Sequence, residues 1–329
     1  QIQILIAKDQ TESLWTMLHG VRVQCLPGKG RGLVASQDLP ANTLILGEDA
    51  LLSVPNLEAL RAETANAYPA LSRTLRSESM RALNRLCAED AHIVQACADA
   101  LESATPRQRL EFLGLEDAFL EPSLRAGSWA RLKDVPPTHT HLQSCQGAVL
   151  EVRGDLVVIQ CRGEVLECST EDIQVLSQKT ISGILLTNAV TMESSDVARV
   201  FANFSRINHS CRPNARALQE ESMRGVFTTV PVAEGEEICV SYFEEAGCLP
   251  AERLLLTAQL LDVGPATLHA AFVRQQLYSK WGFWCQCARC EPLADAADGA
   301  LEKWLARAAV ATDLAQEIAE LEQVAAEKK

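Results

Sequence analysis

Arg206-Ile-Asn-His-Ser-Cys-Arg-Pro-Asn214 is too polar a run for a core and too constrained for an ordinary loop. Asn208, His209 and Asn214 crowd hydrogen-bonding groups into a few residues. Pro213 fixes its own φ and removes a backbone donor. A single histidine is more often a satisfied structural group than a chemical one. Here it follows an asparagine and stands two residues before Cys211. The run reads as a functional element or as a tightly tied structural one.

Cys211 has candidate partners far along the chain. Cys285-Gln-Cys287-Ala-Arg-Cys290 spaces three thiols too closely for pairing among themselves, and such clusters in intracellular chains hold metal. A closed tetrahedral zinc site needs a fourth ligand. Cys211 is the best candidate by context. Cys248 or a water molecule is the alternative, as is a cluster without metal. Cysteines 25, 87, 97, 145, 161, 168, 239 and 248 read as small buried hydrophobes.

Two further stretches stand out. Glu234-Gly-Glu-Glu-Ile-Cys-Val-Ser-Tyr242 is a polar turn followed by a strand, with Tyr242 at the strand end. On its own Tyr242 would be a tyrosine at the edge of a core, apolar body inside and hydroxyl outside. Gly28-Lys29-Gly30-Arg31-Gly32 is a flexible turn. It is either a solvated hairpin or a loop whose backbone can approach a ligand closely.

Composition narrows the class. Of 329 residues 47% are apolar, enough to build real cores, so the chain is not disordered. The net charge of −13 argues against sequence-independent phosphate binding, and no direct nucleic-acid binding is expected. An acidic surface would tolerate a basic protein substrate. No apolar run is long enough to span a membrane, and no membrane partner is expected. The chain begins at Gln1 and not Met, so a targeting segment upstream stays open.

The pattern along the chain suggests an α+β protein, mostly short strands, with insertions. Residues 20–55 read as strands, with Val21–Cys25, Thr43–Leu46 and Leu51–Val54 as the candidates. Residues 56–127 turn to Ala, Leu, Arg and Glu at helical spacing, as in Leu71, Leu75, Leu83 and Leu86. Residues 128–177 hold β-rich runs separated by Gly154 and Gly163 and resemble a small five-stranded Tudor- or KOW-like barrel. Residues 178–245 return to strands and loops around the main motif. Residues 246–292 combine helices with the cysteine cluster. Residues 293–329 read as an amphipathic helix, with Leu301, Trp304, Leu305, Leu314, Ile318 and Leu321 on one stripe.

Together these motifs resemble the SET-domain lysine methyltransferases, in particular the SET–MYND branch and similar fungal and protist SET proteins. Gly28–Gly32 looks like the family's opening cofactor loop. Thr187-Asn188-Ala189 resembles the asparagine before the central strand. Ser205–Asn214 matches the family signature, and Gly235-Glu-Glu-Ile with Ser241-Tyr242 matches the second. Trp281-Gly-Phe-Trp-Cys-Gln-Cys-Ala-Arg-Cys290 looks like the post-SET motif, with Trp281 in place of a commoner tyrosine. No ladder of metal ligands for a MYND finger is visible between residues 56 and 180, where the barrel-like segment stands instead.

The resemblance implies a SET fold with a pseudoknot and an S-adenosylmethionine-dependent protein-lysine N-methyltransferase. Lys29, Gly30, Arg31, Asn188, Asn208, His209 and Phe283 would bind the cofactor. Tyr242 would be the catalytic tyrosine. Cys211, Cys285, Cys287 and Cys290 would hold a structural Zn2+. The partner would be a protein with an exposed lysine, a histone or another, in the nucleus or the cytoplasm. The alternatives are a catalytically inactive SET scaffold or reader, and a plain zinc-stabilised interaction protein. Retention of Tyr242, Asn208, His209 and Phe283 favours the enzyme over the first, and the second leaves the glycine-rich loop and Tyr242 without explanation.

Overall fold

The computed structural model describes residues 16–55, 67, 77–121, 123–191, 197–220, 222–243, 264–303 and 306–307. The chain opens with β1 (Thr16–Leu18), β2 (Val21–Leu26), β3 (Gly30–Ala35), β4 (Leu44–Asp49) and β5 (Leu52–Pro55). The glycine-rich run turns at residues 27–29 and then enters β3, where sequence alone suggested a turn throughout. Gly28 and Gly30 each hold φ at 70°, a left-handed value that L side chains resist. Gly32 is needed for proximity: a Cβ there would meet Leu26 Cδ1 at 2.3 Å and Asn208 Nδ2 at 3.0 Å.

Helices follow: α1 (Ser77–Glu89), α2 (Ala91–Ser103) and α3 (Pro106–Leu113). Thr105 and Gln108 form a reciprocal capping box at the start of α3, which fixes where that helix begins. Leu71 and Leu75, read as helical, lie outside the described residues. Next comes an antiparallel meander, β6 (Ser128–Leu132), β7 (Gln146–Arg153), β8 (Leu156–Cys161), β9 (Glu164–Ser169) and β10 (Ile173–Thr180), in the order β10-β6-β7-β8-β9. All five strands feed one apolar cluster that includes Leu132, Val149, Ile159, Leu166 and Ile173. Trp129 and Ala148 from the same sheet are buried instead among the helices.

Helix α4 (Ile181–Asn188) starts on a Thr180 cap and is buried on every side through Leu186. Sequence reading placed only strands and loops here. A helix with no polar face has no amphipathic period to betray it. Then come β11 (Val190–Thr191), β12 (Val197–Val200), β13 (Asn208–His209), β14 (Ala215–Glu220), β15 (Met223–Thr228) and β16 (Glu237–Val240). Helix α5 (Pro265–Trp281) ends on Gly282 in the left-handed region, and residues 294–303 are helical. Trp304, Leu305, Leu314, Ile318 and Leu321 lie outside the described residues, as does Cys248.

The remaining strands make three small sheets, β1-β4-β15-β14, β13-β16-β3-β2 and β11-β12-β5. Leu33, Ile45, Ile207, Val226 and Ile238 form the core that joins the first two. The architecture is α+β, as expected. Two connections place the main motif. Strand β13 runs parallel to β16, with Asn208 beside Cys239 and His209 beside Val240. The turn before β13 is held by Glu48, a buried carboxylate of β4. It accepts hydrogen bonds from the backbone N–H groups of Asn203 and Phe204, at 3.0 and 2.6 Å to its nearer oxygens. Burial pushes the Glu48 carboxyl above its ordinary range, and these donors pull it partway back. No helix among the described residues is long and apolar enough to cross a membrane.

Candidate active site

A cavity of about 500 Å³ opens where β3, α4, β13 and the end of α5 converge. Lys29, Arg31, Asn188, Asn208, Tyr242 and Phe283 line it, so most of the residues singled out by sequence meet at one place. Gly30 and His209 do not line it.

Polar contacts fix the wall. The Glu237 carboxylate accepts from Lys29 Nζ at 2.6 Å and from Asn208 Nδ2 at 2.8 Å, joining the glycine-rich loop to the main motif. The hydrogen bond with Glu237 raises the Lys29 pKa, so the ammonium stays charged. Asn188 Nδ2 donates to the carbonyls of Glu116 and Ile184, both at 2.7 Å. Arg31 Nη2 donates to the Gly114 carbonyl and lies 3.3 Å from a Glu116 carboxylate oxygen.

Tyr242 sits where the parallel strand pair ends. Its hydroxyl donates to the Ile207 carbonyl at 2.8 Å, and its backbone N–H donates to His209 Nδ1 at 3.1 Å. Burial pushes the Tyr242 phenol well above its ordinary value, and negative charge at Cys239 and Glu237 adds to the shift. The hydroxyl is therefore a neutral hydrogen-bonding group. Trp281 packs against the Tyr242 ring with centroids 4.8 Å apart, and its indole N–H donates to the Thr187 carbonyl at 2.9 Å. Trp281, which stands in place of a commoner tyrosine, is thus a fixed aromatic wall of the cavity.

The His209 side chain is held by Tyr242 and Cys211 and does not line the cavity. A backbone N–H can only donate, so His209 Nδ1 must be the acceptor in its bond from Tyr242. Nε2 then carries the hydrogen and faces Cys211 Sγ at 3.3 Å. The buried imidazole bridges the cysteine cluster and Tyr242.

The four cysteines converge as expected. All their sulfurs lie within 4.8 Å of one another. Cys211 Sγ is 3.9 Å from Cys285 Sγ and 3.4 Å from Cys290 Sγ. Zinc–sulfur bonds of about 2.3 Å in a tetrahedron ask for sulfurs about 3.8 Å apart, so the donor set fits a closed structural zinc site. Hydrogen bonding between Cys211 and Cys285 holds the first thiol above its ordinary range and the second below it. A cation would take the place of those shared protons.

Sequence reading missed part of the wall. The turn at residues 116–118 lines the cavity from within the helical insertion, where no motif marked it. Glu237 was visible as part of the second signature, with no sign that its carboxylate joins Lys29 to Asn208. Phe204 and Arg224 also line the cavity, the guanidinium lying 3.9 Å over the Phe204 ring.

Comparison with known proteins identifies the family. A family model of the SET domain matches residues 30–243, more than half of the chain, and the chain belongs to the SET-domain family. Over 91 residues the chain is 34% identical to the histone-lysine N-methyltransferase ASHR1 of Arabidopsis thaliana. That match covers 28% of this chain and 15% of the length of the relative. The crystal structure of the SET domain of LSMT bound to lysine and AdoHcy aligns with a TM-score of 0.32 at 13% identity. The alignment covers 81% of this chain and 52% of that one.

Proposed function

We propose that this protein is an S-adenosylmethionine-dependent protein-lysine N-methyltransferase. The observation that carries the reading is the convergence of the glycine-rich loop, Asn188, Asn208, Tyr242 and Phe283 on one cavity in a SET-family chain. The residues present suit the cofactor chemically. Lys29 and Arg31 offer positive charge, Asn188 and Asn208 offer amides, and Phe283 offers a ring 38% exposed for stacking. These residues would hold S-adenosylmethionine, which supplies a methyl group on a sulfonium centre when bound.

The chain's own work is to present a lysine amine that has lost its proton. Packing of an entering lysine against Tyr242, Trp281 and Phe204 strips water from its ammonium, and that desolvation lowers its pKa. The neutral Tyr242 hydroxyl and the Ile207 carbonyl beside it orient that amine. Cys211, Cys285, Cys287 and Cys290 would hold zinc away from the reacting atoms. Its part is structural, tying the β13 motif to the segment that carries Phe283.

The test is methyl transfer. Radiolabel from S-adenosylmethionine should enter lysine in purified histones or a lysate protein pool with the wild type, and fall at least about a hundredfold with Tyr242→Phe. A folded, zinc-loaded chain that neither binds the cofactor nor transfers label would sink the proposal.

A further inference from the structure

The helical insertion does more than precede the site. Residues 114–118 run from the end of α3 toward β6 as a strap, and every one of them is tied to a residue on or beside the cavity wall. Three successive carbonyls are taken by three different side chains: Gly114 by Arg31 Nη2, Leu115 by Lys179 Nζ at 2.6 Å, and Glu116 by Asn188 Nδ2 at 2.7 Å. The Glu116 carboxylate lies 3.3 Å from Arg31 and 3.7 Å from Lys179. Ala118 N–H donates to Thr187 Oγ1 at 3.0 Å.

Asp117 anchors the strap from below. Its buried carboxylate accepts from Phe119 N–H at 2.8 Å, Thr180 N–H at 2.9 Å and Thr180 Oγ1 at 3.2 Å. Gly183 makes room for it: a Cβ there would come within 2.3 Å of Asp117 Oδ1. An alanine would otherwise favour a helix interior by about 1 kcal/mol, so the glycine works against local propensity to let the carboxylate in.

The strap has a chemical consequence. Carbonyl oxygens can only accept, so both hydrogens of the Asn188 amide are committed to Glu116 and Ile184. Asn188 can therefore offer the cavity only its Oδ1, an acceptor suited to a ligand ammonium, hydroxyl or amine N–H. Arg31 likewise has one nitrogen committed to the strap, which sets the direction of its remaining donors.

From this we infer that Glu116 and Asp117 are positioning residues for the cosubstrate, acting through Arg31 and Asn188. The inference rests on the methyltransferase reading and assigns the insertion a share of the cofactor site. Calorimetric titration with S-adenosylhomocysteine tests it, using the wild type, Glu116→Ala, Glu116→Gln and Gly183→Ala. Glu116 is 63% exposed at its side chain, so its replacement leaves the core untouched. Glu116→Ala should weaken binding about two- to fivefold, the range of an exposed ion pair, with thermal midpoint and zinc content unchanged. Glu116→Gln, which still accepts from Arg31, should recover part of the loss. Gly183→Ala, which displaces Asp117, should weaken binding at least as much as Glu116→Ala. Wild-type affinity in Glu116→Ala and in folded Gly183→Ala would overturn the inference alone, as would a loss in Glu116→Ala seen only with a lowered midpoint. A wild-type chain that does not bind S-adenosylhomocysteine would overturn it together with the methyltransferase reading.

Discussion

At the scale of single residues, the position of a proton separates what Tyr242 can do from what it cannot. A tyrosinate could serve as a base, and burial works against it, because a phenolate loses more solvation than a phenol. The hydroxyl instead donates to the Ile207 carbonyl and keeps its proton. The sign follows for pH. The folded chain retains this proton where an unfolded tyrosine, with a pKa near 10, gives it up, so Tyr242 withdraws stability only as pH climbs above about 10. Activity should therefore rise with pH as the substrate amine deprotonates, with no descending limb from Tyr242 up to about pH 10. A pH profile of kcat/KM, taken where circular dichroism shows the fold intact, checks this. A fall beginning near pH 9 would show that the phenol ionises in the working range. His209 shows what the sequence leaves unsaid about a side chain. Its neighbours in sequence marked it as important, and they carried no sign that both ring nitrogens face protein, one toward Tyr242 N–H and one toward Cys211.

At the scale of elements, the parallel pairing of β13 with β16 is the device that assembles the site, and the cysteines decide whether it stays assembled. Cys211 follows β13 by two residues, while Cys285, Cys287 and Cys290 follow α5, beyond Phe283. Metal at these sulfurs would fix the end of α5 against the motif strand with folding energy on the order of 10 kcal/mol. One zinc per chain is expected by elemental analysis, and serine at any of the four positions should lower that content and the thermal midpoint. Cys239→Ser should keep full zinc. Its thiol is close enough to Cys285 and Cys287 to feel their charge, yet it stands outside the set of four. Full occupancy in all four serine variants would refute the assignment. The cluster was legible because metal spacing is written in the chain itself. Two other elements were not. Strand β3 hid behind glycines, which carry no alternating side-chain signal, and α4 hid because it is buried on every side. The strap at 114–118 was not legible either: three of its ties are carbonyls, which every sequence has, and Glu116 and Asp117 carry no spacing that marks them off from other acids.

At the scale of the whole molecule, the question is whether the five-stranded sheet inserted before α4 is a separate body or part of the fold. Its own core, with Val157 and Ile159 at the centre, argues for a unit that closes on itself. Trp129 and Ala148 argue the opposite, because these strand residues are buried against Ile93, Cys97, Phe112 and other members of the helical core. Trp129 is 6% exposed, and its indole N–H donates to Gln146 at 3.1 Å, so the ring is both packed and oriented. The last strand of the sheet ends on Thr180, which caps α4 and also bonds Asp117, so the sheet leads directly into the cavity wall. A sheet fixed at both places should unfold with the rest. Trp129→Ala is expected to cost about 3–5 kcal/mol through lost burial and the cavity left behind. Val157→Ala, a smaller truncation inside the sheet, should cost about 1–3 kcal/mol. In urea, tryptophan fluorescence and far-ultraviolet circular dichroism should report one shared transition for both variants, shifted to lower midpoints. Two separated transitions, with Val157→Ala moving only one of them, would mean that the sheet folds by itself. Trp129 would then be a docking contact between two bodies and not a member of one core.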